Sequence, residues 1–541
     1  MKQKWWHDAA VYQIYPRSFY DTNGDGIGDL QGIIQKLEYL KTLGIDILWI
    51  SPFFKSPNVD NGYDISDYRD IMDDFGTMAD MEQLLAEAGR QGIRVVMDLV
   101  ANHCSDQHAW FVEARRDKNS PYRDYFIWRD PVEGHEPNDI PCGFGGNAWQ
   151  LDGMTGQYYL HLFAPQQPDL NWKNPKVRRE IYDMMNFWID KGISGFRMDV
   201  IELIGKEPDR GITANGAMLH PYLQEMNRET FGDKDLFTVG ECWNVSEEVA
   251  LQYTGGGELD MVFQFDHLCL DQQPGGEKWD MAPLRLPALK AVFAKWQRVF
   301  ADRGWYTLVW DNHDLPRIVS RYGDEGKYRV ESAKMLALCL HGMKGTPFIY
   351  QGEELGMTNI RLPSIEQYND IESRNFYAER VAKGADPQKT LESVWAKGRD
   401  NARTPMQWSA GPNAGFTTGT PWLPVNGNYP TINAEDELAD ENSVFHFYQK
   451  LIALRKAAGI GEVLIYGSFT LLLPDDADIF AYRRAGKGRE LLVVCNFHDI
   501  TRADAPLPAE NARLVLSNYP DDAGAALRPY EAKLYYIDQP V

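Results

Sequence analysis

Short apolar runs that stop abruptly, each followed by a stretch of helical periodicity, recur along most of this chain, and that alternation restricts the fold more than any other feature. Leu30, Ile33, Ile34, Leu37 and Leu40 recur at helical spacing, Gly44 ends them, and Ile45 to Ile50 reads as a strand. Thr77 stands where it can cap a helix carrying Met81, Leu84, Leu85 and Ala88, which Gly92 stops before the strand Ile93 to Asp98. Asn174 and Pro175 take the N-cap and first-turn positions of a helix that Gly192 closes directly ahead of Gly195-Phe196-Arg197-Met198-Asp199-Val200. Alternating strands and helices mean a parallel sheet. Eight such strands centre near Val11, Leu48, Val96, Phe196, Val239, Phe263, Leu308 and Phe348. The count predicts an α/β fold, a (β/α)8 TIM barrel whose site lies at the carboxyl ends of its strands.

A chain of 541 residues is too long for one core, and the rhythm breaks in two places. Between Asn102 and Asn174 runs a stretch rich in Pro, Gly, aromatic and charged residues, far longer than a usual βα loop, which predicts a subdomain inserted after strand 3 at 104–173. From Gly461 the helical pattern yields to β-rich segments, Glu462 to Tyr466, Ile479 to Arg483 and Glu490 to Phe497, separated by Asp, Gly and Pro turns. That tail predicts a C-terminal antiparallel β-sandwich domain at 461–541, leaving 1–103 and 174–460 for the barrel.

Three of the strand ends carry acids. Arg197 and Asp199 are two apart in a strand and share a face, so the guanidinium is expected to keep the carboxylate ionised, as a nucleophile requires. Glu241 closes the run Leu236 to Gly240, and Asp314 closes the run Leu308 to His313. Any one of them could be a structural salt-bridge partner; three at three strand ends point to one active site.

A net charge of −23 and a pI near 4.9 would repel nucleic acid and anionic membrane, so the expected partner is small and uncharged. Sixteen Trp and 27 Tyr offer flat apolar faces with polar edges, which suit sugar rings. No run approaches the ~18 apolar residues of a membrane span, and the start of the chain lacks the apolar core of a signal peptide. Six cysteines, Cys104, Cys142, Cys242, Cys269, Cys339 and Cys495, lie scattered without CxxC spacing, so a reduced, cytoplasmic protein is expected. Oligomeric state is left open. The loop Asp21-Thr22-Asn23-Gly24-Asp25-Gly26-Ile27-Gly28-Asp29 sets oxygen donors at alternate positions, Asp21, Asn23, Asp25, the Ile27 carbonyl and Asp29, as in the first nine positions of a Ca²⁺ loop. Gly32 stands where a closing Glu would be, and the alternative is a plain pair of Asn-Gly and Asp-Gly turns.

Four stretches, Asp98 to His103, Gly195 to Val200, Val239 to Glu241 and Asn312 to Asp314, resemble in order the signature regions of the α-amylase family, glycoside hydrolase family thirteen. Gln167 to Asn171 resembles the additional region that sorts its subfamilies, and VYQIYPRSFYDTNGDGIGDL, NVDNGYDISDY and GRDNARTPMQW are similar to the 1,6-glucosidase members. The resemblance implies Asp199 as nucleophile, Glu241 as general acid and base, and Asp314 as transition-state stabiliser. Retention needs one ionised and one protonated carboxyl ~5 to 5.5 Å apart, and Val239, Cys242 and Trp243 are expected to give Glu241 an apolar setting that favours its proton. It further implies that His103 and His313 bond hydroxyls of the first glucose, that Tyr63 stacks on its ring and that Asp98 holds Arg197 in place. Asp60 and Arg399 resemble the pair that holds the terminal O4, which implies exo action. Val200 resembles the 1,6-specific members, and Trp243, Lys278 and Glu372 resemble residues of the next subsite. Cys104 and Cys242 stand where relatives commonly carry Thr, buried-size replacements expected to adjust packing more than chemistry, with inhibition by thiol reagents as a secondary expectation.

Taken together, the resemblance implies a retaining, exo-acting α-1,6-glucosidase with a structural Ca²⁺ and no organic cofactor. Trehalose-6-phosphate hydrolase, which shares the Pro274 to Trp279 segment, is the alternative, and sucrose isomerase is another. A catalytically dead, membrane-tethered barrel subunit is disfavoured because all three acids are present.

Overall fold

The computed structural model describes residues 3–243, 245–506, 511–521, 524 and 526–538. Met1 and Lys2, at the start where no targeting segment is expected, and the last three residues lie outside them. Eight parallel strands build the central sheet: β1 (Val11–Ile14), β2 (Ile47–Ile50), β3 (Arg94–Val100), β4 (Gly195–Asp199), β5 (Phe237–Gly240), β6 (Met261–Val262), β7 (Thr307–Val309) and β8 (Thr346–Tyr350). They follow the order β6-β5-β4-β3-β2-β1-β8-β7. One parallel bridge between Val262 and Tyr306 links the two ends and completes the circle. All eight strands fall where the apolar runs predict, since residues buried on both faces of a parallel sheet read as continuous apolar segments.

The helix signals act as expected from local chemistry. Helix α1 (Met78–Arg90) starts in a capping box, Thr77 accepting from the Asp80 amide and Asp80 from that of Thr77. Helix α2 (Pro175–Asp190) starts with the Asn174 side chain accepting from Lys176 N–H, and buries Ile181, Met184, Met185 and Trp188 on one face. The spacing expected from Leu30 to Leu40 is cut at Lys36 into two short helices, the second ended by Gly44 in the left-handed region.

The long insertion folds into its own small layer. A helix, Ala109–Arg116, packs near a three-stranded antiparallel sheet of Trp128–Arg129, Tyr158–Leu160 and Trp149–Leu151. Emerging after β3, it is carried at the carboxyl end of the barrel.

Two expectations for the tail are corrected. Glu462 to Tyr466 is not a strand but the main part of a helix, Ile460–Tyr466. Its β-branched composition is outweighed by position, because Ile460, Val463 and Leu464 have i, i+3, i+4 spacing and are all buried. The β domain therefore begins at Ser468, and among the described residues it is one five-stranded antiparallel sheet, not a sandwich: β9 (Ser468–Leu472), β10 (Ile479–Gly486), β11 (Arg489–Asn496), β12 (Arg513–Ser517) and β13 (Ala532–Asp538). One face meets the barrel, where Tyr482 OH donates to Cys339 O at 2.8 Å. On the other, Ile479, Ala481, Leu492 and Val494 are covered by Ala505 and Leu527, which stand outside the strands.

Candidate active site

Arg197, in the middle of β4, is the hub of the site. Its register partner on β3 is Asp98, and the alternation of strand side chains brings Arg197 and Asp199 to the same face as the sequence predicts. Nη1 donates to Asp98 Oδ1 and to Asp199 Oδ1, both at 2.8 Å, and Nη2 donates to Glu241 Oε2 at 2.6 Å. Asp98 Oδ2 in turn accepts from Trp49 Nε1 at 3.1 Å and Tyr63 OH at 3.0 Å, so Asp98 holds the guanidinium as expected. Two carboxyls held on neighbouring nitrogens of one guanidinium favour the ~5 to 5.5 Å spacing of retaining enzymes over the ~6.5 to 9.5 Å of inverting ones.

Arg197 favours the charged form of Asp199, as expected, but burial opposes it. Burial pushes the Asp199 carboxyl well above the usual carboxylate range; Arg197 pulls it down, and Glu241, Asp98 and Asp314 push it up again. Asp98 is raised by burial too, against Arg197 and His313. Three buried carboxyls thus share one guanidinium, and burial and their mutual repulsion work against the charge that Arg197 favours.

Nor is the setting of Glu241 apolar. Its carboxyl accepts from Arg197, from Val200 N–H at 3.1 Å and from Trp243 Nε1 at 3.0 Å. The Val200 contact depends on strain: φ is +35° and ψ +43°, a left-handed conformation that a β-branched residue rarely adopts. That twist, directly after Asp199, turns the amide toward Glu241.

Asp314 lies beyond β7 in the loop Trp310 to Leu315. Burial works to raise its carboxyl, but His313, Arg399 and Arg403 outweigh it and hold Asp314 well below the ordinary range. Arg399 Nη1 and Arg403 Nη2 donate to Oδ1 at 3.2 and 2.8 Å, and His313 Nε2 is 3.1 Å from Oδ2. Asp314 is thus a fixed anion. Arg399 also reaches Asp60 at 3.0 Å, Asp370 at 2.7 Å and Glu372 at 3.5 Å.

A cavity of about 380 Å³ opens on these groups, within the usual size of small-ligand sites. Of the residues singled out from sequence, Asp60, Tyr63, His103, Asp199, Val200, Glu241, Trp243, Lys278, Asp314, Glu372 and Arg399 line it. Arg197 and His313 do not: both stand behind the wall as supports. His313 lies flat against Tyr63, centroids 5.0 Å apart, with Gln13 Nε2 2.8 Å from Nδ1, so it braces Tyr63 and Asp314. His103 is held neutral because burial lowers it, against Asp169 and Asp60. Lys278 pairs with Glu372 at 2.5 Å, and Trp243 stacks on Phe265.

Sequence reasoning missed Arg403, Asp370, Phe144 and Phe163. Arg403 had a signal, since it stands four residues after Arg399 and i, i+4 residues share a helix face. The two phenylalanines sit in the insertion, where no periodicity marks them. The expected inhibition through Cys104 and Cys242 is also corrected: both are wholly buried, and burial pushes their thiols well up, which keeps them inert. Cys269, half-buried, is the cysteine on the cavity wall.

The loop from Asp21 to Asp29 curls as a metal loop would. Asp21 accepts from the amides of Asn23, Gly24 and Gly26, Asn23 from that of Asp25, and Asp25 from that of Ile27. Gly26 must be glycine, with φ +94° and a Cβ position 1.9 Å from Thr420 O. Asp29 is partly engaged as a helix cap for Gly32, and no three acidic, His or Cys groups among the described residues gather as a metal cluster. The backbone and the all-oxygen donor set suit Ca²⁺ while the carboxylates stand apart.

Comparison with known proteins agrees with this geometry. The family described as Alpha amylase, catalytic domain, matches residues 13–467. An oligo-1,6-glucosidase of Parageobacillus thermoglucosidasius is 55% identical over 566 aligned positions, covering 100% of both chains. A glucan 1,6-alpha-glucosidase of Streptococcus pneumoniae is 55% identical over 92% of each. Among solved structures, the trehalose-6-phosphate hydrolase of Bacillus licheniformis superposes with a TM-score of 0.94 at 46% identity, covering 99% of this chain and 100% of that one.

Proposed function

The chain belongs to the α-amylase family of glycoside hydrolases, and on that premise we propose that it is a retaining, exo-acting α-glucosidase that releases glucose from α-1,6 bonds at the non-reducing end of isomalto-oligosaccharides. Asp199 spends Oδ1 on Arg197, which leaves Oδ2 for the anomeric carbon. As that bond forms, Glu241 as general acid passes a proton to the glycosidic oxygen, and the leaving sugar departs. Glu241, now ionised and held by Arg197, Val200 N–H and Trp243 Nε1, takes a proton from water, whose oxygen displaces Asp199 and restores both groups. Asp314, fixed as an anion, balances positive charge that develops on the sugar ring.

The observation that carries the exo reading is the ion pair of Asp60 with Arg399 on the cavity wall, at 3.0 Å. A charged pair there ends the pocket after one glucose and offers a carboxylate and a guanidinium to its O4. The 1,6 preference is supported by the two glucosidases at 55% identity. Trehalose 6-phosphate is a poorer fit, because the four cations on the cavity wall are already engaged by carboxylates: Lys278 by Glu372, Arg399 by Asp60 and Asp370, and Arg321 and Lys397 by the one they share, Asp271. A dianion would have to displace one of them.

A neutral oligosaccharide is then the partner, consistent with a chain of charge −23. No helix among the described residues is long and apolar enough to cross a membrane. Six free thiols support a cytoplasmic setting. Asp21, Asn23, Asp25, the Ile27 carbonyl and Asp29 would hold a structural Ca²⁺ remote from bond cleavage. The deciding experiment measures glucose release from isomaltose, maltose and trehalose 6-phosphate side by side. Isomaltose is expected to be cut fastest with retention of configuration, and faster cleavage of trehalose 6-phosphate would overturn the substrate assignment.

A further inference from the structure

Helix α3 (Ile371–Ala382) lies across the rim and grips two separate excursions of the chain. Residues 372, 375, 376 and 380 share one face of it by helical spacing. Glu372 pairs with Lys278, Phe376 stacks on Trp279 with centroids 4.1 Å apart, and Arg380 pairs with Glu277 at 2.9 Å. Those three side chains hold the loop after β6. Asn375 reaches the other way, its Nδ2 donating to the carbonyl of Phe144 in the inserted subdomain at 3.0 Å.

Phe144 sits at the tip of a glycine turn, Gly143-Phe144-Gly145-Gly146. The base is held by Gly143 N–H to Leu162 O at 2.8 Å and Cys142 N–H to Gly146 O at 2.9 Å. Gly145 and Gly146 have φ of +95° and +80°, and a Cβ at Gly146 would meet nothing within 4 Å. Among the described residues, Asn375 is the one side chain from outside the subdomain that hydrogen-bonds the turn. The Phe144 ring lines the cavity, 4.8 Å from the Arg399 guanidinium and 5.5 Å from Phe163. The tip therefore covers the closed end of the pocket, on a glycine-rich turn closed on itself by Gly145 N–H to Cys142 O at 3.1 Å and Phe144 N–H to Cys142 Sγ at 3.4 Å, with Asn375 as its side-chain hydrogen bond to helix α3.

We propose that Asn375 is a latch, a positioning residue whose bond to the Phe144 carbonyl holds the glycine turn down over the terminal glucose, and that its release opens the pocket for glucose to leave. The latch rests on reading the pocket as a one-glucose dead end. A single amide hydrogen bond of ordinary net strength shifts a closed-to-open ratio by roughly 2- to 12-fold, enough to matter for affinity and small enough to be broken in each turnover.

The test uses the full chain with N375A, with N375D, whose carboxylate would face the carbonyl oxygen, and with R374A as a control at the neighbouring exposed position of the same helix. N375A should raise KM for isomaltose and the inhibition constant of glucose by roughly 2- to 12-fold, leave kcat equal or higher because release is easier, and leave Tm unchanged. N375D should do more of the same and R374A nothing. Hydrogen exchange at the amides of residues 143–147, measured without any sugar, should quicken in N375A and N375D. That arm reads the latch even where isomaltose proves not to be the substrate, so the two readings fail separately. Unchanged exchange in both variants, or a fall in kcat with KM unchanged, would overturn the latch.

Discussion

Asp60→Ala removes the acidic half of the wall that ends the pocket, and the cost can be worked from its contacts. Asp60 is 5% exposed, with Oδ1 on Arg399 at 3.0 Å and Oδ2 on Gln167 Nε2 at 3.2 Å. Arg399 keeps Asp370 at 2.7 Å and Asp314 at 3.2 Å, so the truncation strands no buried cation and the fold should persist. What disappears is a charged acceptor for the terminal O4, worth ~1.5 to 3 kcal/mol. At ~1.36 kcal/mol per tenfold, kcat/KM for isomaltose should fall about 10- to 150-fold. The space vacated lies past the terminal sugar, so the variant should also accept chains that run through it. With isomaltotetraose labelled at its reducing end, the wild type should yield the labelled trisaccharide first, and Asp60→Ala should yield labelled disaccharide at the earliest times as well. A variant within threefold of wild type in kcat/KM, with an unchanged first product, would refute the assignment of Asp60 and Arg399 as the end wall.

Asp199→Ala and Glu241→Gln should each abolish turnover with the melting curve preserved, and azide should rescue Asp199→Ala with inverted product; near wild-type rates would remove these residues from the mechanism. Val200→Ala or Val200→Thr should raise maltose hydrolysis relative to isomaltose by the ~1 to 3 kcal/mol that one methyl-sized change is worth, as measured by the ratio of kcat/KM values; an unchanged ratio counts against Val200 as a linkage determinant. Chelator should lower the melting temperature with little effect on bond cleavage, since a ligand bound only by the folded state stabilises it, and elemental analysis showing no Ca²⁺ together with an unchanged melt would dispose of the metal. Buried Asp311 is pushed up to about 7 by burial against Arg317 and Arg321. A carboxyl raised above its unfolded value of ~3.9 contributes stability that is full below that value and is lost as pH rises through about 7. Asp311→Asn should therefore flatten the fall in melting temperature between pH 5 and 8, and a parallel profile in the variant would contradict the shift.

The part of this protein that sequence alone determined is the part written in local periodicity. A strand buried on both faces announces itself as an apolar run, a helix by its spacing and caps, and a strand end by the acid that breaks the run; hence the eight strands, Thr77, Asn174, Asp199 and Glu241 were all legible. Even Arg197 and Asp199 on one face follow from a period of two. Tertiary structure decided what depends on distance in space between residues far apart in the chain. Only the folded barrel puts Asp98, Asp199 and Glu241 on one guanidinium, so that burial and two further carboxyls act on Asp199 besides its neighbour Arg197. It likewise gives Glu241 three donors in place of an apolar pocket, sets His313 behind Asp314, and brings Phe144 from the insertion to Arg399 and Asn375. Ile460 to Tyr466 shows the same limit within secondary structure: residues that favour strands form a helix because burial against the rest of the fold contributes more than their intrinsic preference. Periodicity is a property of neighbours in sequence, whereas electrostatics and packing sum over neighbours in space, and those neighbours exist only once the chain has closed.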